Sequence, residues 1–265
     1  MKRRLLKESA RESELGKVHP ASPLKAVLLV GGKGTRLRPV ISSSPKPLAS
    51  VGNKSFLELL VRQLRHQGIH NLVMCTGHLS EQITNEFGDG RKFDVTIEYS
   101  KETNPLGTGG AIKLAERNLR DVSEFIVMNG DSFLEIDFQQ LIRFHREHGG
   151  ILTIAAFQVK NATRYGQLQV DANGRVVSFA EKAANDVPGL ISAGVYVFNK
   201  AVLALIPHGP SSLERDVLPG LLHQGVFAFE QHGLFIDIGT PDDYARAQDL
   251  CNRLYDAALD RQYSR

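Results

Sequence analysis

The stretch KAVLLVGGKGTRLRP, residues 25–39, decides the predicted fold. Residues 26–30 form a continuous apolar run, which is typical of a strand buried on both faces of a parallel sheet. The glycines that follow, Gly31, Gly32 and Gly34, let the backbone approach a large ligand, and their N–H groups can hold an anion. Their spacing fits neither the GxxxxGK[ST] phosphate loop nor the GxGxxG dinucleotide fingerprint. Taken alone, the segment is equally well interpreted as a tight turn with solvated arginines.

Helix and strand patterns alternate through the rest of the first half of the chain. Ser55 and Glu58 have the form of a capping box before a helical run of apolar residues. Ser80 is expected to cap a second helix, and residues 109–117 are expected to form a third. Strands are predicted over Asn71–Thr76, 94–99 and 125–128. This alternation predicts an α/β fold with a doubly wound, mostly parallel sheet that binds ligands at the carboxyl ends of its strands.

The second half of the chain is richer in strands, which are predicted over residues 151–157, 167–170, 175–179 and 191–198. Ser211 and Glu214 suggest a further capping box. Thr240 is an expected N-cap, followed by Pro241 at the first position of a helix that runs to about residue 255. We predict a polar N-terminal extension over residues 1–24, one domain over 25–255 and a C-terminal tail over 256–265.

The composition limits the classes of function. Apolar residues make up 42% of the chain and charged residues 23%, which are ordinary values for a globular protein. The net charge of +3 is too small to indicate a nucleic-acid partner, and no apolar run reaches the ~20 residues that span a bilayer. We therefore expect neither nucleic acid nor membrane as a partner. Cys75 and Cys251 form neither a metal pair nor a disulfide framework, which indicates a reducing, cytoplasmic location.

Three charged side chains beyond the glycine-rich loop are candidates for phosphate chemistry. Lys46 lies between Pro45 and Pro47, which restrict the local backbone. Asp131 and Asp237 each follow a short apolar strand pattern, where carboxylates can hold Mg²⁺ together with phosphate oxygens. Each residue also has a simpler interpretation: a solvated lysine, a helix cap and a turn residue.

As a set and in this order, these segments resemble the sugar-1-phosphate nucleotidyltransferases, also called nucleotide-sugar pyrophosphorylases. The signature of that family is a GGxGTRLxP loop followed by PKP, which stand here at residues 31–39 and 45–47. The resemblance implies a Rossmann-like nucleotidyltransferase fold, with a nucleotide half over about 25–135 and a strand-rich sugar half over about 136–255. It covers about residues 25–250 and continues through 105–110, 129–131, 164–166, 179–182, 193–196 and 235–241.

The reaction that this resemblance implies joins an NTP to a sugar 1-phosphate and gives an NDP-sugar and pyrophosphate. Within the family, the sequence is most similar to guanylyltransferases that act on D-glycero-α-D-manno-heptose 1-phosphate, so GTP and this sugar phosphate are the expected substrates. That subgroup usually carries Asn where Ser192 stands. Three alternatives stay open: a mannose-1-phosphate guanylyltransferase, a uridylyl- or thymidylyltransferase of the same fold, and a non-catalytic module that senses nucleotide sugars. Assembly into a homo-oligomer also stays open.

The resemblance assigns roles to single residues. Arg36 and Lys46 are expected to be catalytic, acting on the triphosphate and the α-phosphate, and Asp131 and Asp237 are expected to hold Mg²⁺. Glu102 is expected either to accept hydrogen bonds from guanine or to be a solvated loop acid. The full nucleotide-binding set is Gly31, Gly32, Gly34, Thr35, Glu102, Gly107, Thr108 and Gly130. The sugar-phosphate-binding set is Gly166, Glu181, Lys182, Ser192 and Gly194.

Overall fold

The computed structural model describes residues 24–32, 34–37, 40–41, 44–181 and 187–259. Most of the predicted extension and tail lies outside these ranges, and so does the predicted sugar-phosphate ligand Lys182. For Thr35 and Glu181 the structure describes the backbone alone. The last described helix runs to Leu259, beyond the predicted domain end at residue 255.

Strands and helices alternate in the first half of the described chain. The strands, in chain order, are β1 (Lys25–Leu29), β2 (Ser50–Val51), β3 (Lys54–Ser55), β4 (Asn71–Thr76), β5 (Thr96–Lys101), β6 (Glu124–Asn129), β7 (Ser132–Leu134), β8 (Leu152–Val159), β9 (Gly166–Val170), β10 (Val176–Glu181), β11 (Gly189–Asn199), β12 (Val226–Gln231) and β13 (Phe235–Asp237). The α-helices are α1 (Phe56–His66), α2 (Ser80–Phe87), α3 (Gly107–Leu114), α4 (Phe138–His148), α5 (Leu218–Leu221), α6 (Pro241–Asp249) and α7 (Cys251–Leu259). Among the described helices, none has both the length and the apolar character needed to cross a bilayer.

Strands β5, β4, β1 and β6 lie side by side in this order, and all of them run parallel. Ala26, Val27 and Leu28 of β1 have no exposed surface, as the apolar run predicts. Ala26 and Leu28 belong to the core that contains α1, whereas Val27 belongs to the core that contains α3. Because successive β1 side chains enter cores on opposite faces, the parallel sheet is covered by helices on both sides.

Strand β11 joins the strand-rich half to this parallel sheet. It pairs antiparallel with β6, β8 and β9, and β12 adds to β8 in the parallel direction. Within the described residues, nine strands thus form one mixed sheet whose parallel core lies in the first half of the chain. The predicted α/β class is confirmed.

A separate two-stranded ribbon brings the two candidate aspartates together. Strand β7 pairs antiparallel with β13, and the register sets Ser132 opposite Asp237. The backbone N–H of Ile238 donates to the carbonyl oxygen of Asp131 at 2.9 Å. Asp131 and Asp237 are therefore neighbours in space although more than a third of the chain separates them in sequence.

Two boundaries in the first half differ from the prediction because of left-handed residues. Ser80 is the first residue of α2 and does not cap it, since Leu79, with φ of 56°, occupies the N-cap position. Strand β5 begins at Thr96, because Asp94 has φ of 59° and cannot continue an extended strand. Helix α3 also begins earlier than predicted, at Gly107.

Two helices in the second half also differ from the prediction. The cap near residue 211 is one residue later than predicted: the hydroxyl of Ser212 accepts from the N–H of Arg215 at 3.3 Å. Thr240 caps α6 as predicted and Pro241 is its first residue, but the helix ends at Asp249. The single helix predicted to about residue 255 is therefore two helices, α6 and α7.

Helix α1 holds the segment that leads away from Asp131. Its start is as predicted, with the Ser55 hydroxyl accepting from the Glu58 N–H at 3.3 Å. On its buried face, Gln63 Nε2 donates to the Leu134 carbonyl at 2.7 Å. Gln67 Nε2 donates to the Ile136 carbonyl at 2.8 Å, and Gln67 Oε1 accepts from the Phe138 N–H at 2.8 Å. Buried backbone groups between β7 and α4 have no access to water, and these side-chain amides are their hydrogen-bond partners.

Replacing Gln67 with leucine should destabilise the protein, because it leaves buried backbone groups at Ile136 and Phe138 without partners. We expect Gln67→Leu to lower the free energy of unfolding by about 2–6 kcal/mol, because each of the two groups costs about 1–3 kcal/mol when it is left unpaired. Urea denaturation followed by circular dichroism measures this. The matched control is Gln169→Leu at an exposed position of β9; equal losses in both variants would contradict the assigned role of Gln67.

Candidate active site

The loop after β1 is shaped by a close approach to Lys46. Gly34 has φ of +56°, and a Cβ at this residue would lie 2.8 Å from Lys46 Cβ. Only glycine tolerates both the left-handed backbone and this contact. Leu37, at the end of the following helical turn, is buried, whereas Arg36 is exposed and lines the adjacent cleft. The loop is therefore anchored by Leu37 and presents Arg36 to the solvent side of the cleft.

Lys46 is held in the site and is not an ordinary surface lysine. It opens a short helical turn between the buried residues Pro45 and Pro47, and its side chain is only 10% exposed. The Nζ atom lies 2.5 Å from Asp131 Oδ2 and 3.9 Å from Asp237 Oδ1. The ammonium group thus sits between the two carboxylates, which excludes the interpretation of Lys46 as a solvated loop residue.

Asp237 lies beside two charged groups, Asp131 and Lys46. Burial, followed by the nearby charge of Asp131, raises the pKa of Asp237 to about 6, although Lys46 acts in the opposite direction. One oxygen also accepts from the Gly239 N–H at 2.5 Å, which is the turn contact expected of an aspartate there. Asp237 therefore serves the turn and faces Lys46 at the same time.

The two carboxylates fit a divalent cation that substrate phosphates complete. With one ammonium between two carboxylates, the cluster carries a formal charge of −1, which a divalent cation would turn positive. Magnesium commonly takes one or two carboxylates and fills its remaining positions with water and phosphate oxygens. Among the described residues no group of three or more histidine, cysteine or acidic side chains could hold a metal.

Two clefts adjoin at Asp131, while Asp237 lines neither of them. The smaller, of about 200 Å³, is lined by Gly34, Arg36 and Lys46. The larger, of about 560 Å³, includes Gly31, Glu102, Gly107 and Thr108. Leu29, Gly32 and Asp131 line both. The volumes suit a polyphosphate chain in the first cleft and a nucleoside in the second.

Glu102 lines the larger cleft and is half buried. Its Oε2 accepts from the Leu106 N–H at 2.9 Å, and burial raises its pKa against the opposing effect of this bond. A Cβ on Gly77 would lie 2.5 Å from Glu102 Oε1. The carboxylate is thus packed against the loop after β4, which argues against the interpretation of Glu102 as a solvated loop acid.

Three further residues that were predicted to bind the nucleotide make close contacts within the protein. Gly107 has φ of +71° and packs against the carbonyl of Ser211, while the Thr108 hydroxyl accepts from the Leu213 N–H at 2.7 Å. Gly130 is buried, and a Cβ there would lie 2.9 Å from the Leu29 carbonyl oxygen. Gly130 lines neither cleft. Its absent side chain serves the tight packing of β6 against β1, and the function proposed below does not use it as a nucleotide contact.

On the sugar side, Gly194 lies against Asn129 at the end of β6. It has φ of +75°, and a Cβ there would lie 2.6 Å from Asn129 Nδ2. The Ser192 hydroxyl donates to Tyr196 Oη at 2.9 Å, and Gly166 packs against the Phe179 ring. The structure thus brings Gly194, but not Gly166, next to a residue of the nucleotide cleft. The side chain of Glu181 and all of Lys182 lie outside the described residues.

Sequence reasoning missed several residues that line the larger cleft. Asn129 ends β6 directly before Gly130, and the rule that ligands bind at the carboxyl ends of parallel strands could have included it. Cys75 also lines the cleft from the end of β4, where the same rule applies. His78 lies in the loop after β4, where no sequence pattern distinguishes it from a solvated histidine.

Comparison with known proteins shows the family of this chain. The family described as "Nucleotidyl transferase" matches residues 25–253. This chain belongs to that family. HddC from Yersinia pseudotuberculosis, a solved structure, is 34% identical with a TM-score of 0.76, covers 85% of this chain and 98% of its own, and has also been solved in complex with GMP-PN. The predicted family and its fold are thereby confirmed.

Curated relatives include two named mannose-1-phosphate guanylyltransferases. The catalytic subunit beta of Drosophila melanogaster is 38% identical over 223 residues, which are 83% of this chain and 60% of that protein. The protein of Mycobacterium tuberculosis is 38% identical over 225 residues, which are 83% of this chain and 62% of that protein. The present chain therefore spans about three fifths of the length of these relatives.

Gly34→Ala should impair nucleotidyl transfer by displacing Lys46. The new Cβ meets Lys46 Cβ, and a misplacement of about 1 Å in such a site can cost on the order of a hundredfold in kcat. The left-handed backbone adds a loss of stability of about 1–2 kcal/mol. Steady-state kinetics of pyrophosphate release and thermal unfolding measure the two effects.

Gly68→Ala separates these effects, because Gly68 has φ of +81° but a Cβ there would meet no atom within 4 Å. This control should lose similar stability and keep its kcat. If Gly34→Ala retains full kcat, the close packing of Lys46 against the glycine-rich loop has no role in turnover.

Proposed function

We propose that this chain transfers a guanylyl group from GTP to a sugar 1-phosphate and releases pyrophosphate. The observation that carries the proposal is the Lys46 ammonium between the carboxylates of Asp237 and of Asp131, the residue that lines both clefts. The choice of guanine is supported by similarity: the curated relatives are named guanylyltransferases, and HddC was solved in complex with GMP-PN. Enzymatic activity, rather than nucleotide-sugar sensing, follows from the presence of all three charged residues.

Two sugar phosphates are candidates for the acceptor. D-glycero-α-D-manno-heptose 1-phosphate is the first, on the sequence resemblance of the chain to that subgroup. Mannose 1-phosphate is the second, and the names of the curated relatives favour it. Ser192, where the heptose subgroup usually has Asn, lies in the segment that would distinguish the two sugar phosphates.

We further propose that the reaction takes place in the cytoplasm, a reducing compartment that suits the free cysteines Cys75 and Cys251.

In the proposed reaction, an oxygen of the sugar phosphate attacks the α-phosphorus in line and pyrophosphate leaves. The nucleophile is already an anion, so no side chain needs to act as a general base. The physical difficulty lies in bringing two polyanions together and stabilising charge that moves toward the leaving group. Positioning and electrostatic stabilisation are therefore what the protein must supply.

The glycine-rich loop and two cations act on the triphosphate. Backbone N–H groups of Gly32, Gly34 and Thr35 hold its oxygens, and Arg36 closes the open side of the small cleft. Lys46 acts on the α-phosphate, where the negative charge changes most during transfer. Its fixed position between two prolines means that little reorganisation is needed when this charge develops.

Asp131 and Asp237 are the proposed ligands of Mg²⁺. When bound, the cation would act as a template that orients the two substrates and as a Lewis acid that neutralises phosphate charge. Burial and the nearby charge of Asp131 raise the pKa of Asp237, and a bound cation would favour its charged form.

Recognition of the two substrates is divided between the halves of the chain. Glu102 is the proposed acceptor for the guanine N1–H and N2–H₂ groups, with Gly107 and Thr108 lining the same cleft. On the sugar side, Lys182 is proposed to bind the phosphate and Glu181 the hydroxyl groups. Gly166, Ser192 and Gly194 are proposed to form the sugar pocket by their backbones and the serine hydroxyl.

Pyrophosphate release with four NTPs, each combined with heptose, mannose and glucose 1-phosphates, tests the proposal. GTP should give the highest kcat/KM, because guanine offers two kinds of donor to an acceptor carboxylate where uracil and thymine offer one ring N–H. Better use of UTP or dTTP would make the guanylyl assignment wrong. Binding without pyrophosphate release for every pair would favour the sensing module.

A matched pair of aspartates shows that the signal arises at the proposed site. Asp131→Asn should reduce kcat on the order of a thousandfold, or about 4 kcal/mol of transition-state stabilisation. Asp242→Asn makes the same change at an exposed position of α6 and should leave kcat unaltered. Equal activity in the two variants would remove Asp131 from the mechanism.

A further inference from the structure

Arg164 lies in the loop that joins β8 to β9, and its side chain contacts the start of α6. Its Nη2 atom forms an ion pair with Asp243 Oδ2 at 2.6 Å, and its Nη1 atom donates to Thr240 Oγ1 at 3.1 Å. The reaction proposed above uses none of these three side chains. The guanidinium group thus joins the loop that leads to Gly166, in the proposed sugar pocket, to the helix that follows Asp237.

The hydrogen bonds between Arg164, Thr240 and Asp243 form a complete set. The Thr240 hydroxyl donates its single proton to Asp243 Oδ2 at 2.6 Å and accepts from the Asp243 N–H at 3.3 Å. It also accepts from Arg164, so both of its lone pairs are used. Asp243 Oδ2 accepts from Thr240 and from Arg164. These contacts need a charged side chain that donates to two acceptors at once, as the planar guanidinium does and a lysine ammonium on a single flexible stem does not.

The loop that carries Arg164 is itself anchored. Ala162 has no exposed surface, and its carbonyl accepts from the Tyr165 N–H at 3.0 Å. The Tyr165 ring packs edge-on against the ring of Phe235 in β13, with centroids 5.7 Å apart, and its hydroxyl accepts from Arg164 Nη2 at 3.2 Å. Arg164 therefore extends its guanidinium from a backbone that is held in place on both sides.

The contacts of this loop lie on both sides of Asp237 in the sequence. Phe235, which packs against the Tyr165 ring, comes two residues before Asp237, and Thr240, which accepts from the guanidinium, comes three residues after it. Between them, Asp237 Oδ1 accepts from the Gly239 N–H at 2.5 Å. A displacement of the start of α6 would therefore move the turn that orients the Asp237 carboxylate.

We propose that Arg164 is a positioning residue, which fixes the turn after β13 so that the Asp237 carboxylate faces the cation site that it shares with Asp131. The proposal rests on the function proposed above, because Mg²⁺ is the proposed ligand of that carboxylate. Replacement of residues that hold a metal ligand in place commonly changes metal affinity about ten- to a hundredfold. Arg164 acts on its metal ligand through the cap of α6, so we expect the lower end of this range.

A second ion pair in the protein provides a matched control. Arg146 Nη2 lies 2.5 Å from Glu124 Oε1, and the two side chains are 62% and 14% exposed, against 42% and 18% for Arg164 and Asp243. This pair joins α4 to the start of β6 and lines neither cleft. Ion pairs of this exposure contribute little to stability, since solvent screens them and ordering the side chains costs entropy. Loss of either pair should therefore change thermal stability by a similar, small amount.

Isothermal titration measures the part of nucleotide binding that depends on the metal. The dissociation constant of an α,β-methylene analogue of GTP, which cannot transfer its nucleotidyl group, is determined with EDTA and with enough Mn²⁺ to saturate the analogue. The ratio of the two constants is the gain from the metal. Arg164→Met should reduce this gain about tenfold. The constant measured with EDTA should stay nearly unaltered, because Arg164 lines neither cleft. Arg146→Met should keep the full gain.

A double-mutant cycle distinguishes positioning from a general loss of structure. Asp237→Asn should remove most of the gain, and the further change Arg164→Met should then cause no additional loss, because Arg164 acts through that carboxylate. Arg164→Lys, which keeps the charge and cannot reach Thr240 and Asp243 together, should also lose part of the gain. Equal effects of Arg164→Met with and without Asp237→Asn would overturn the proposal, and so would an equal gain in the Arg164→Met and Arg146→Met variants.

The outcomes also separate this proposal from the function on which it rests. If the unaltered protein shows a gain from Mn²⁺ that the Arg164 variants retain, the positioning role is wrong and the proposed function stands. If the unaltered protein shows no gain from Mn²⁺, the proposed cation site is wrong and the positioning role with it. Absence of pyrophosphate release with every substrate pair overturns the proposed function, which the binding ratios do not measure.

Discussion

The pairing of β7 with β13 is the constraint on which the rest of the site depends. Each strand has only three residues, yet their register sets Asp237 beside the start of β7 and brings its carboxylate to the one that precedes β7. Two neighbouring carboxylates repel each other when both are charged, and burial increases the free-energy cost of keeping them charged. Lys46 offsets part of that cost, which explains why a lysine with 10% exposure is tolerated here. The ribbon is in turn held by α1 through Gln63, and Gln67, which follows α1, holds the segment after β7.

The cluster lies at the junction of two structural systems that meet along β6 and β11. On one side, the parallel strands end in loops that surround a nucleoside-sized cleft. On the other, the antiparallel pairing of β11 with β6 brings the bulge at Gly194 against Asn129. A transfer between two anionic substrates needs both to be held at one point, and this junction is where the two halves of the chain can each supply contacts.

The sequence predicted what depends on local patterns. Both ends of the strand Asn71–Thr76 are as predicted, because its apolar run is bounded by turn residues. The start of α6 is also as predicted, because Thr240 and Pro241 mark it. Lys46, Asp131 and Asp237 were each identified from a motif. Their mutual contact was not predictable from spacing, since β7 and β13 are too short to show a period. The hydrogen bond between Ser192 and Tyr196 forms where β11 advances four residues against two of β8, which no local pattern records. Ser80 failed as a cap because a left-handed leucine precedes it.

The central claim is that Asp131 and Asp237 form one cation site that a substrate triphosphate completes. The most direct measurement is anomalous diffraction from crystals grown with Mn²⁺ and the α,β-methylene analogue of GTP. The account predicts a manganese peak bound to both carboxylates and to an α-phosphate oxygen, with the Lys46 ammonium beside the same phosphate. A peak that contacts neither carboxylate, with the analogue bound in the larger cleft, would contradict it.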